Sequence, residues 1–182
     1  MGKRSWLILP LRQTLKHGLL LGLVFCAAVT AVIWLDPRFF MDDYTPNIQA
    51  AAGPDVGFPS GPTLVLGVAL IFVPLMGGLV GSLAVATRQA PERANLWSSF
   101  LHCFLVAQVG NMLDVVLMDW LLFVWWTPAF MVVPGTLGAP GYDNYWFYFE
   151  ASYLKPGPYV VLGLLSMICA LAMRGWARIR SS

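Results

Sequence analysis

Apolar residues dominate four separate stretches of this chain, and polar or charged residues fill the segments between them. The stretches cover residues 18–35, 63–87, 96–126 and 158–176. A helix needs about 20 apolar residues to cross roughly 30 Å of hydrocarbon, and all four stretches are close to or above that length. The pattern predicts an all-α, polytopic membrane protein with four transmembrane helices.

The composition agrees with this prediction. Hydrophobic residues make up 58% of the 182-residue chain and charged residues 11%, against about 25% charged in an average soluble domain. We see no internal repeat, low-complexity tract or Gly/Ser linker that would divide the chain. Residues 1–182 are therefore expected to form a single integral membrane domain.

Basic residues concentrate in the segments that would meet at one end of the bundle. Nine of the eleven lysines and arginines precede the first span, join spans two and three, or follow span four: Lys3, Arg4, Arg12, Lys16, Arg88, Arg93, Arg174, Arg178 and Arg180. Because positive residues remain on the cytoplasmic side, both termini are predicted to be cytoplasmic. We expect the chain to lie in a cell membrane, either a plasma membrane or a bacterial inner membrane.

The first span could alternatively be a cleaved signal peptide, since a basic segment precedes it. Its apolar core exceeds the usual length of about 7–15 residues. Cleavage would also leave three crossings and move the Arg-rich tail to the wrong side of the membrane. We therefore predict that this span is retained as a helix.

The two loops predicted to be extracytoplasmic differ in character. Residues 36–62 are rich in Pro, Gly and acid, which predicts an irregular excursion. The loop between spans three and four, residues 127–157, carries seven aromatic residues from Tyr142 to Tyr153. Aromatic rings favour the interface between lipid and water, so we expect an interfacial helix or short hairpin that caps the bundle. A lid or docking surface over a site is the functional alternative.

Small residues recur at a four-residue spacing in the second span, at Gly77, Gly78, Gly81 and Ser82. Such spacing lets helix backbones approach closely in lipid. We expect this set to serve helix packing within the chain, and dimerisation between two copies is the alternative. Pro74 predicts a kink just before it.

Three polar side chains, Gln108, Asn111 and Asp114, interrupt the apolar third span. On a regular α-helix they occupy an arc of roughly 120°, with Asp119 near the Gln108 edge. An acidic residue in hydrocarbon costs roughly 2.5–3.5 kcal/mol on insertion scales, and such residues usually face a protein interior or a wet cavity. These four residues form the candidate polar seam.

The seam has a structural and a functional interpretation. In the first, Gln108 and Asn111 bond to neighbouring helices, and Asp114 is protonated or paired with a basic group. In the second, which we favour for Asp114 alone, that carboxyl group is a titratable relay or ligand in a cavity open to the outside. Asp119 is expected at the mouth of the cavity in a solvated or structural role, and His102 as a satisfied buried histidine.

Other chemistry lacks its sequence signal. The chain has no P-loop, H-E-x-x-H or G-x-S-x-G motif, so catalytic residues remain unknown. We predict no metal and no cofactor, because His17 and His102 are poor candidates to complete a site with two carboxylates from one helix. The cysteines, Cys26, Cys103 and Cys169, are expected to be small buried hydrophobic residues. The basic residues are explained by contacts with the anionic headgroups of membrane lipid, so we predict no nucleic-acid partner.

The leading functional hypothesis is therefore a transport, channel or accessory component that uses the polar seam. The alternative is a membrane-embedded enzyme acting on a lipid or lipid-linked substrate at the outer face, with Asp114 and Asp119 as an acid–base pair. Their spacing puts them about 140° apart on a regular helix, which counts against the enzyme. A third hypothesis is a structural role with a protein partner or in a homo-oligomer.

Overall fold

The computed structural model describes residues 6–181, with side chains at all of these positions except 177, 178, 180 and 181. Every regular element in that part of the chain is a helix. Lys3 and Arg4, together with the side chains of Arg178 and Arg180, contribute to the predicted orientation and lie outside the described residues.

Four of the helices are long and apolar enough to cross a membrane. This confirms, for residues 6–181, the prediction of an all-α chain with four membrane-length helices. In chain order the helices are α1 (Leu11–Leu35), α2 (Pro46–Ala52), α3 (Gly61–Gln89), α4 (Leu96–Asp114), α5 (Tyr145–Phe149) and α6 (Pro156–Ser181). The long ones are α1, α3, α4 with its continuation to Trp126, and α6.

Local sequence explains several of the helix ends. Helix α1 begins directly after Pro10, so it already includes Arg12 and Lys16, two of the basic residues that precede the apolar stretch. Helix α4 begins with a reciprocal cap, in which the Ser98 amide donates to Asn95 Oδ1 at 3.0 Å and the Asn95 amide donates to Ser98 Oγ at 2.9 Å. Such a capping box satisfies two amides that a helix start otherwise leaves unpaired.

A π-helix, Val115–Trp126, continues α4 without a break. It ends at Thr127, whose amide donates to Leu122 O at 2.7 Å and whose hydroxyl donates to Phe123 O at 2.7 Å. Thr127 has a φ of 45°, in the left-handed region that β-branched residues rarely adopt. Because a π-helix bonds residue i to residue i+5, the α-helical periodicity assumed for this stretch is wrong beyond Asp114.

The two long connections contain helices of their own. Segment 36–60 begins with a 3₁₀ helix, Pro37–Asp43, followed by α2, so it is more ordered than the irregular excursion that its composition predicts. In segment 127–155, α5 carries most of the aromatic residues and continues into a π-helical turn, Glu150–Leu154. We call the end of the bundle that carries these two segments the loop end. The opposite end, where the link of residues 90–95 joins α3 to α4, is the link end.

Each end of the bundle has its own apolar core. The core at the link end brings together the first described residues, α1, α3, the link, α4 and α6. Its buried residues are Ile8, Leu9, Leu21, Leu79, Leu83, Ala86, Ala90, Cys103, Val106, Ala107 and Cys169. The core at the loop end packs both long connections against α1 and the π-helix. There the buried Tyr44 hydroxyl donates to Met131 O at 2.8 Å and so ties one connection to the other.

Helices α1 and α4 approach each other closely. A methyl group at Gly18 would lie 2.5 Å from Val109 Cβ, and one at Gly22 would lie 3.0 Å from Gly110 Cα. Glycine therefore allows these two backbones to pack at a distance that alanine would not permit.

The small residues predicted to pack helix α3 divide between two environments. A methyl group at Gly78 would meet the side chain of Leu21 on α1, and Ser82 bonds to residues of α1 and α4. Gly77 and Gly81 are exposed, and no atom lies within 4 Å of a methyl group placed on either. A methyl group at either position would therefore meet no other helix within the described residues.

Candidate functional site

A cavity of about 570 Å³ lies at the loop end, between α1, the π-helix, the 3₁₀ helix Pro37–Asp43 and the connection from α5 to α6. Its volume falls in the range of roughly 300–1,000 Å³ that is typical of small-molecule sites. Its walls combine aromatic rings with four carboxylates, and such a mixture of apolar surface with a few polar groups is also typical of ligand sites.

The four carboxylates come from two separate parts of the chain. Asp42 and Asp43 end the 3₁₀ helix, whereas Asp114 and Asp119 belong to the third long helix. Among the described residues, the ion pairs are Arg38 with Asp36 and Arg93 with Glu92, so none of the four is neutralised by a basic side chain. The cavity therefore gathers four acidic groups that have no basic partner in the described part of the chain.

Asp114 makes its side-chain contact with a thiol. Cys26 Sγ on α1 lies 3.9 Å from Asp114 Oδ1, at which distance the thiol donates a weak hydrogen bond. The structural interpretation of Asp114 allowed pairing with a basic group, and the described residues contain no such pair. The carboxyl group therefore lines the cavity without a basic partner in the described part of the chain.

The π-helix decides where Asp119 lies relative to Asp114. In a π-helix, residues five apart follow one another along the same side, as residues four apart do in an α-helix. Asp114 and Asp119 have this spacing, and both line the cavity. The separation of about 140° expected for a regular helix is therefore wrong, because the backbone leaves α-helical geometry between these two residues.

Burial perturbs the two groups that face Asp119 from the loops. Burial, with a smaller contribution from the charge of Asp42, raises the pKa of Asp43. Burial also raises the pKa of Tyr148, with further contributions from Asp119, Tyr142 and Asp43. Tyr148 therefore keeps its hydroxyl proton. That hydroxyl is buried and has no hydrogen-bond partner among residues 6–181.

The aromatic wall of the cavity is packed and already holds one cation. Tyr44 and Phe123 meet edge to face with ring centroids 5.3 Å apart, and Tyr148 lies 5.9 Å from Phe123. Lys155, an exposed residue at the cavity wall, places Nζ 5.7 Å from the centroid of the Phe147 ring. This distance is within the range of about 6 Å over which an aromatic face attracts an ammonium group.

Gln108 and Asn111, the other two residues of the predicted seam, do not line this cavity. The Tyr153 hydroxyl donates to the main-chain oxygen of Gln108 at 3.4 Å, so this part of α4 lies beside the turn that leads into α6. Both side-chain amide nitrogens are buried without a hydrogen-bond partner in the described part of the chain. Buried polar groups of this kind usually bind water or another polar partner.

A second polar cluster joins three helices nearer the link end. Ser82 Oγ lies 2.8 Å from His17 Nδ1 and 2.9 Å from His102 Nε2, and the two imidazole centroids are 5.9 Å apart. His102 is fully buried, and its Nδ1 atom has no partner among the described residues. No group of three or more metal-ligating side chains occurs in the described part of the chain.

The sequence pattern did not connect Asp42, Asp43, Tyr148 and Lys155 with the third helix. The sequence showed Asp42 and Asp43 only as acid in one loop, and Tyr148 only as an aromatic residue in the other. Nothing local, however, indicates that residues so distant in the sequence line one cavity.

No protein-family model matches the chain, and neither does any curated protein or solved structure. The four apolar helices are compatible with a small integral membrane protein.

Proposed function

We propose that the protein is a small multi-pass membrane protein that works as a transport, channel or accessory component and binds a solute in the loop-end cavity. In this proposal both termini are cytoplasmic and the cavity opens outside a plasma or bacterial inner membrane. The observation that carries the proposal is the cavity of about 570 Å³ that Asp114 and Asp119 line together with two acidic loop residues.

The position of Asp114 favours a role in passage or binding. It lies within a helix long and apolar enough to cross a membrane, and intramembrane carboxylates commonly mark ion and substrate pathways. Towards the link end, the same helix carries the buried amide nitrogens of Asn111 and Gln108, which have no partner among residues 6–181. These groups could bind water and extend a polar path beyond the cavity.

The alternative is a membrane-embedded enzyme that acts on a lipid or lipid-linked substrate at the outer face. The π-helix favours this alternative more than the sequence pattern did, because it brings Asp114 and Asp119 to one side of the helix. One carboxyl group would then donate a proton while the other accepts one. The Tyr148 hydroxyl would act as a nearby hydrogen-bond donor.

Reconstitution separates these functions. Purified protein in liposomes should carry protons or a small solute, and we expect Asp114→Asn to abolish this flux while Asp119→Asn reduces it less. Asp55→Asn is the matched control, because Asp55 is exposed and does not line the cavity. A trapped pH-sensitive dye and labelled solutes report the flux.

The contrary results are equally specific. Turnover of labelled lipid without flux would favour the enzyme, and copurification with one fixed partner would favour the accessory role. If Asp114→Asn matches the parent protein in flux, turnover and assembly, the seam is structural and the proposed function is wrong.

A further inference from the structure

We infer that the loop-end cavity takes an organic cation, a protonated amine that carries an aromatic or other apolar group. The inference rests on the proposed function, since it names the ligand of the same cavity. It follows from the charge of the cavity, the chemistry of its wall and one buried hydroxyl group.

The surplus of acidic over basic groups in the cavity favours a cation. The wall holds four carboxylates and one ammonium group, that of Lys155, and no ion pair in residues 6–181 joins them. A cavity lined by one sign of charge between walls of low dielectric concentrates the opposite charge. An anionic ligand would be repelled.

The arrangement of the carboxylates does not favour a metal ion. A hard cation such as Ca²⁺ takes about 6–8 oxygen ligands close together. The described residues contain no group of three or more metal-ligating side chains. The acids are therefore spread along the wall and are suited to meet a larger cation with distributed charge.

The aromatic wall accepts an ammonium group in the structure itself. Lys155 Nζ faces the Phe147 ring, and both residues line the cavity. An aromatic face attracts quaternary and protonated amines most strongly where water is excluded. Lys155 thus acts as a tethered cation that competes with the ligand for this part of the wall.

The Tyr148 hydroxyl indicates which kind of cation fits. Tyr148 is 5% exposed, lines the cavity, and its hydroxyl has no partner within residues 6–181. A buried polar atom left unpaired costs about 1–3 kcal/mol, and the hydroxyl oxygen accepts a hydrogen bond from an N–H donor that reaches it. This group favours a primary or secondary amine over a quaternary ammonium ion, which has no N–H group.

Three small molecules of the same shape test the inference. We would measure the binding of 2-phenylethylamine, 2-phenylethanol and 3-phenylpropionate to the full chain in lipid nanodiscs by titration calorimetry, with empty nanodiscs as the blank. We expect the protonated amine to bind at least about tenfold more tightly than the alcohol or the acid.

Variants connect that binding to the cavity. Asp43→Asn should weaken amine binding by about tenfold, because it removes one of the uncompensated charges. Lys155→Gln should strengthen binding several-fold by removing the competing ammonium group, whereas Lys155→Arg should not. Asp55→Asn, outside the cavity, should leave binding unchanged.

Two kinds of failure can be told apart. If the alcohol or the acid binds as tightly as the amine, and Phe147→Ala weakens that binding, the cavity is a ligand site and only the cationic class is wrong. If none of the three molecules binds, or if Asp43→Asn has no effect on the amine, the inference is overturned. The proposed function is then tested separately, by the flux that the Asp114→Asn variant shows in liposomes.

Discussion

The Tyr44 hydroxyl group forms a buried hydrogen bond between the two long connections at the loop end. Tyr44 is 1% exposed, and its hydroxyl donates to Met131 O at 2.8 Å. Removing the donor leaves a buried carbonyl oxygen unsatisfied, which costs about 1–3 kcal/mol. We therefore expect Tyr44→Phe to lower the free energy of unfolding by that amount, measured by denaturant titration of the detergent-solubilised protein.

Tyr145→Phe is the control, because it removes the same atom from a residue that is 45% exposed. It should leave the free energy of unfolding nearly unchanged. Equal stability of the two variants would show that the bond between the connections contributes nothing to the loop end.

Individual residues differ in how far the sequence could predict their place. Asp114 was identified because an acidic residue in an apolar stretch is a local contradiction that demands a partner or a cavity. Asp43 and Tyr148 carry no such contradiction, since acids and aromatic rings are ordinary in loops. Their place in the cavity follows from long-range packing, which no local pattern encodes.

At the scale of the helices, glycine gives the sharpest contrast. Gly18 faces Val109 on α4 with no room for a methyl group, whereas a methyl group at Gly77 on α3 would meet no other helix within 4 Å. Gly18→Ala should therefore destabilise the protein by about 1–3 kcal/mol through overpacking. Gly77→Ala should instead stabilise it by up to about 1 kcal/mol, because alanine loses less backbone entropy in a helix.

Both variants add the same methyl group, so opposite signs in one unfolding assay are the expected result. Far-ultraviolet circular dichroism in mixed micelles would follow the loss of helix. Destabilisation by Gly77→Ala would mean that the exposed face of α3 packs against another chain, as the dimerisation alternative requires.

The π-helix shows why the seam could be predicted only in part. Residues 115–126 are almost entirely apolar, so their pattern fits i→i+4 and i→i+5 bonding equally well. The angle between Asp119 and Asp114 was derived from α-helical geometry, which does not hold along the π-helix. The stripe of small residues had a similar limit, because spacing identifies a helix face but not which helix covers it.

At the scale of the whole molecule, hydropathy predicted the four long helices because a span is encoded in one contiguous stretch of sequence. The cavity is of another kind, since it combines α1, the 3₁₀ helix, the π-helix and the end of segment 127–155. It places four acidic groups on one wall without a basic partner among residues 6–181. A site of this kind is retained most readily where function requires it.

Accessibility of the cavity to water from outside the cell tests the central claim most directly. In a variant without the three native cysteines, a membrane-impermeant thiol reagent should label Asp119→Cys on intact cells. Val73→Cys, on the exposed face of α3 near its middle, should stay unlabelled. Arg93→Cys in the link should react only after lysis. Failure of Asp119→Cys to react before lysis, or labelling of Arg93→Cys on intact cells, would contradict the account.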